Sequence, residues 1–178
     1  MESYEWVVLS YTLPREPSRA RVAIWRKLKK LGALNMQQSQ WMLPLAGDHA
    51  AWMRDIRDEV AKEGGEAFVM TASVDGETHA SFVLRFNRDR DEEYRELLEQ
   101  CVDFLHEIDK ETERKNFSFA EIEENEEELR KLREWCGKIK SRDRFGATLA
   151  AESTHMLERC ADALERFCAA VYSACDGI

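Results

Sequence analysis

The sequence is poor in the features that announce chemistry. It has no GxSxG nucleophile elbow and neither of the common glycine-rich phosphate loops, GxGxxG and GxxxxGK[ST]. Its four histidines, His49, His79, His106 and His155, show no HxxH, HxxxH or HExxH spacing, so no local metal site is expected. His106 follows Asp103 and Cys101 closely, but an ordinary surface histidine is the simpler reading. Cysteine is scarce and odd in number. Cys101, Cys136, Cys160, Cys168 and Cys175 include no CxxC pair, which argues against a disulfide framework or structural zinc and for reduced, mostly buried thiols. There is no apolar run long enough to cross a bilayer. The opening residues Met1 to Glu5 carry no basic stretch followed by an apolar one, so no secretion signal is expected and a cytoplasmic location follows. No internal repeat or low-complexity linker is visible. Together these absences predict a chain without a catalytic residue, cofactor or metal, and not an enzyme.

What is present is a foldable chain with an uneven charge. Of its 178 residues, 44% are hydrophobic, enough for a real core in one domain, or one domain with a helical addition. The net charge is −9. Residues 1–88 hold 12 Lys/Arg against 11 Asp/Glu, and residues 89–178 hold 14 against 24. Within the first part, residues 15–30 hold seven basic residues and one acidic. An acidic chain is no indiscriminate nucleic-acid binder, but a local basic patch can still take an anion.

Residues 4–13 are aromatic and β-branched and predict a buried strand. Pro17 suits the first turn of a helix that runs to Leu31, with Val22, Ala23, Trp25, Leu28 and Leu31 apolar and Gly32 as its stop. Short strands follow near 33–37 and 40–45, with Trp41 and Leu43 on one face and Pro44 limiting the second. Asp48 is a candidate N-cap for a helix carrying Trp52, Met53, Ile56 and Val60, which ends at Gly64 and Gly65. Residues 66–74 predict another strand. Phe82, Leu84 and Phe86 alternate, and predict an additional one. Five tryptophans, Trp6, Trp25, Trp41, Trp52 and Trp135, fall on the inner faces of these elements. The resulting βαββαβ order is that of a ferredoxin-like sandwich over residues 1–88.

Beyond residue 88 the period becomes helical. Three helices are expected, over about 89–115, from Ser118 (where Ser118 and Glu121 make a capping box), and from Ala147 to Cys175. They predict a bundle over residues 89–178, packed on the sandwich or used for dimerisation. Arg142 and Asp143 before Phe145 and Gly146 form the most unusual polar cluster. Asp143 is read as a cap or an arginine partner, and Gly146 as a sharp turn.

Several segments in this order resemble the N-terminal region of the chromate-resistance family ChrB. They are Trp6 to Pro14 followed by Arg19, Arg21, Trp25, Leu28 and Gly32; then residues 40–44, Gln-Trp-Met-Leu-Pro; then Val83 to Phe86 running into Asp91 to Tyr94; then Arg142 to Ala147. The resemblance implies a chromate-responsive regulator whose basic residues contact DNA. The matching positions are Arg15, Arg19, Arg21, Arg26, Lys27, Lys29 and Lys30. The first half is also similar to the central module of PaaX-type repressors and, more distantly, to the CRISPR-associated endonuclease that integrates spacers. That nuclease family has a metal-binding Asp just after the tyrosine that ends the first strand. Thr12 stands there in this chain, and a hydroxyl cannot replace a carboxylate around Mg²⁺, so no nuclease activity is expected.

The basic helix therefore has two readings. It can present arginine forks to phosphate or to chromate, or it can be a solvated face whose long stems cover apolar surface. Arg19 and Arg21 lie near the helix N-terminus, where the dipole disfavours cations, and Glu16 is a candidate internal partner. Two other classes stand beside the regulatory reading: a thiol- or oxyanion-dependent chromate-handling enzyme, which would need an exposed thiol of low pKa, and a structural module that forms a homodimer through its long helices.

Overall fold

The computed structural model describes residues 3–16 and 18–175, so the expectation for Pro17 lies outside the described residues. The described residues combine a four-stranded antiparallel sheet with five helices. The elements are β1 (Tyr4–Thr12), α1 (Ser18–Leu31), β2 (Leu34–Gln37), β3 (Gln40–Pro44), α2 (His49–Lys62), β4 (Glu66–Val74), α3 (Gly76–Arg114), α4 (Phe119–Lys140) and α5 (Ala150–Cys175). The sheet order is β2-β3-β1-β4. The chain divides into two compact units, Met1–Phe86 and Asn87–Ile178, and the division falls within α3.

In the first unit, β1 is the hub of the sheet. It pairs with β3 from Trp6↔Pro44 to Ser10↔Gln40 and with β4 from Tyr4↔Val74 to Thr12↔Glu66. Alternate residues of a strand face opposite sides. Val7 and Leu9 point to one side, Trp6 and Val8 to the other. Val7 and Leu9 are buried, on a sheet against which α2 packs along β1 and β4, with α1 beside α2. The buried stripe of α1 is Ala20, Ile24 and Leu28, and that of α2 is Met53, Ile56 and Val60. β3 has Trp41, Met42 and Leu43 all buried, so both of its faces are covered. Gly65 enters β4 where only glycine fits. A Cβ there would stand 2.3 Å from the Thr12 carbonyl oxygen and 2.8 Å from side-chain carbons of Leu13 and Val60.

The segment Phe82–Phe86, expected as a strand, is helix. Asp75 opens α3 by accepting from the Thr78 N–H at 2.8 Å, and this bond holds its carboxyl below the usual range. The apolar residues then act at helical spacing. His79, Phe82 and Phe86 share one face and close on Trp6, with ring centroids at 5.5, 5.3 and 5.6 Å. Tyr4 stacks on His79 at 3.8 Å. Arg85 donates to the Asn35 carbonyl at 2.8 Å, tying α3 to β2. A five-residue segment with four apolar residues fits either period, and the Trp6 face of the sheet, which needs a cover, decides between them. Leu84, on the far side of this helix, is 72% exposed.

Asp48 occupies the N-cap position of α2, but its side chain makes no capping hydrogen bond. Trp25 was placed inward by its spacing, yet it is 48% exposed. The α1 stripe is narrow, and small Ala20 with Ile24 and Leu28 fills it.

In the second unit the core is a single cluster shared by α3, α4 and α5. It includes Tyr94, Leu97, Phe104, Ile108, Ile122, Leu132, Ile139, Leu164, Phe167 and Val171. Ser118 caps α4 by accepting from the Glu121 N–H at 3.3 Å, while the Glu121 carboxylate takes the Asn116 amide at 2.8 Å, so the capping box is half formed. Asp143 closes the turn before α5 by accepting from the Gly146 and Ala147 N–H groups at 2.9 and 3.0 Å, and Gly146 has φ +76° as that turn requires. Asp91 takes the Leu149 N–H at 2.8 Å and the Thr148 hydroxyl at 2.6 Å.

The helical assignment of residues 82–86 predicts unequal side chains. Phe86→Ala should cost about 3–5 kcal/mol, whereas Leu84→Ser should change stability by no more than about 0.5 kcal/mol. Urea unfolding of both variants checks this, and equal losses would point back to an alternating strand.

Candidate functional site

The seven basic residues singled out by the sequence do not act alike. Arg21 is used internally. Its Nη1 donates to the Pro14 carbonyl at 2.8 Å and also to that of Arg15, which fixes the β1–α1 connection. These main-chain oxygens, and not Glu16, take its charge. Lys27 is paired with Glu59 of α2. Both side chains are well exposed, so this pair adds little stability.

Arg15, Arg19, Arg26, Lys29 and Lys30 are exposed and make no ion pair among the described residues. Four of them lie on α1, and the helical period orders them. Arg19, Arg26 and Lys30 fall on one line along the helix, away from Ala20, Ile24 and Leu28. Val22, Trp25 and Lys29 form the adjacent line, with Val22 42% and Trp25 48% exposed. The outer face of α1 is thus a basic row beside an apolar one with a tryptophan at its centre. No acid occurs in the first turn of α1, and Lys29 and Lys30 close its last turn, where the dipole favours cations. The role of Trp25 was hidden in the sequence, because its spacing also fits an inward face.

The position of a nuclease-type carboxylate can now be inspected. Thr12 lines a polar recess of about 230 Å³ with Ser10, Tyr11, Gln37, Gln38, Ser39 and Gln40. None of these seven residues is acidic, so the recess offers no hard anionic ligand for Mg²⁺. Burial raises the Tyr11 pKa. Among the described residues no group of three or more His, Cys, Asp or Glu is arranged to hold a metal ion.

The cysteines gather where the sequence could not place them. Cys101 of α3, Cys136 of α4 and Cys160 of α5 are all buried in the helical core. The Cys160 thiol donates to the Cys101 carbonyl at 3.6 Å. The Cys101 thiol pKa is raised, first by its hydrogen bond with Cys160 and then by burial. Burial raises Cys136 and Cys168 too. A thiol held protonated in an apolar core is a poor nucleophile. His106 and Asp103 are exposed while Cys101 is buried, so these three do not form a site. Cys175 is exposed at the end of α5.

Thiol labelling of the native protein with an aromatic disulfide should therefore modify Cys175 quickly and Cys168 more slowly. Cys101, Cys136 and Cys160 should react only on unfolding. Rapid labelling of any of those three in the folded protein would contradict the packing described.

Comparison with known proteins follows the same lines. The profile of the family described as "Protein ChrB, N-terminal" matches residues 21–178, which takes in all of the second unit and the first from within α1 onward, with β1 outside the match. The chain is similar to "Protein ChrB" of Cupriavidus metallidurans, with 29% identity over 94 residues. That match covers 52% of this chain and 28% of the relative, so the chain spans a minor part of the relative's length. No solved structure matches. Among the described residues no helix is long and apolar enough to cross a membrane. The match over α1 to α5 is broad enough to place the chain: it belongs to the ChrB N-terminal family, and so to the proteins related to chromate resistance.

Proposed function

We propose that this chain is a regulatory module of chromate resistance that binds DNA through the outer face of α1 and works in the cytoplasm. The observation that carries this reading is the row of Arg19, Arg26 and Lys30, exposed and without carboxylate partners among the described residues in a chain of net charge −9. A solvated face that served only solubility would need no such concentration of one sign. Arg15 before the helix and Lys29 on the adjacent line add to its charge, and Trp25 beside it supplies an apolar ring for a base or a sugar. The excess of acid beyond residue 88 would repel DNA from the helical unit and favour its approach to the first one.

In this reading the first unit is a ferredoxin-like βαββαβ sandwich. The element order β1-α1-β2-β3-α2-β4 and the all-antiparallel sheet order β2-β3-β1-β4 support that assignment. The burial of Cys101, Cys136 and Cys160 weighs against a thiol-dependent chromate-handling enzyme. A homodimer, the remaining part of the reading, would appear as two chains per duplex in sedimentation.

Fluorescence anisotropy with a short mixed-sequence duplex tests the proposal. Affinity should fall steeply with salt, and Arg19→Ala with Arg26→Ala should weaken it about tenfold or more. Each lost phosphate contact should also reduce the slope of log K against log salt by about 0.9. Binding indifferent to salt and to both substitutions would overturn the reading.

A further inference from the structure

The second unit holds a separate concentration of positive charge. Arg90 lies on α3, and Arg142 and Arg144 on the segment between α4 and α5. Arg90 is 3% exposed. Its Nη2 donates to Glu93 at 2.8 Å, but its Nε and Nη1 are buried with no hydrogen-bond partner among the described residues. Arg142 donates through Nη2 to the other Glu93 oxygen, and its Nε is likewise buried without a partner. Arg144 lies near enough to feel Arg90: burial first, then the charge of Arg90, lower its pKa.

The nearby acids are already committed. Glu93 is shared between Arg90 and Arg142. Asp143 accepts from the Gly146 and Ala147 N–H groups and from the Tyr94 hydroxyl at 3.3 Å. Asp91 holds Leu149 and Thr148 at the start of α5. Asp89 is the partner of Arg88. Arg90 and Arg142 thus share the one carboxylate of Glu93 in a largely dry corner, with the charge of Arg144 close by. Buried donors without acceptors are costly, and like charges in a dry site call for a counter-ion.

The geometry points to a binding site for one small tetrahedral oxyanion of the sulfate class, held by Arg90 and Arg142. Such a dianion carries acceptor oxygens in every direction, so it can serve several guanidinium forks at once, which a single carboxylate cannot. The Arg142 and Glu93 side chains, 17% and 27% exposed, open the cluster to solvent. Glu93 is then the internal competitor that the anion displaces from the arginines. Sulfate, phosphate and chromate share this shape, and their separate titrations distinguish them. The site uses none of the α1 residues and stands independently of the DNA-binding reading.

The test is calorimetric titration of the full chain with sulfate, phosphate and chromate in chloride buffer at matched ionic strength. Saturable binding of one anion per chain is expected for at least one of the three. Arg142→Gln should weaken it about tenfold, by removal of a charged hydrogen-bond donor. Glu93→Gln should strengthen it. Arg19→Ala with Arg26→Ala should leave it unchanged. Arg90→Met should abolish it, and if that variant fails to fold, Arg142→Gln and Glu93→Gln still decide. Absence of saturable binding for all three anions overturns the site. So does binding that ignores Arg142→Gln, or binding lost only in the α1 variant.

Discussion

Burial of Trp6 organises the first unit. The indole projects from β1, fully buried, on the side of the sheet opposite Val7 and Leu9. A four-stranded sheet with large apolar side chains on both faces must be covered twice. α1 and α2 supply one cover. His79, Phe82 and Phe86, brought in line by the helical period, supply the other at Trp6. This requirement turns residues 76–86 into the start of α3 when their own alternation suits a strand equally well. It also settles the fate of α1. With Ala20, Ile24 and Leu28 as its only buried stripe, the rest of that helix is left to solvent, and its basic residues with it.

The covers are incomplete. Phe68 and Met70 of β4, whose partners in the sheet are Ser10 and Val8 on the Trp6 side, are 58% and 49% exposed. They lie where the helical cover over Trp6 does not reach. The second unit is closed differently, by one apolar cluster drawn from three helices with three thiols inside it. Its polar groups collect at the junction of α3 with the α4–α5 connection. There, capping needs consume Asp91 and Asp143, and Arg90 and Arg142 share Glu93. Hydrogen-bond demand from helix ends thus sets the electrostatics of that corner.

Much of this was legible from the sequence. The strand at Trp6, the amphipathic stripes of α2, α4 and α5, the Ser118 cap and the Gly146 turn follow from residue type and spacing, because each depends on near neighbours. What failed depended on distant ones. Phe82–Phe86 suits a strand as well as a helix because four apolar residues in five do not fix a period, and the deciding partner, Trp6, lies more than seventy residues away in the chain. Trp25 was assigned inward because large aromatics usually are, yet small Ala20 and Ile24 fill the face. Arg90 gave no signal at all. In the run from Arg88 to Glu93 it looks like one more solvated charge, and only the fold puts it beside Arg142 and Glu93.

The central claim is that the exposed rows of α1 are a working surface and more than a solubilising one. An amide and indole resonance map of the protein titrated with a short duplex tests it most directly. The account predicts that the largest shifts fall on Arg19, Val22, Trp25, Arg26 and Lys30, with the Trp25 indole among them, while α4 and α5 stay still. Shifts confined to the helical unit, or saturation with no movement on α1, would contradict it.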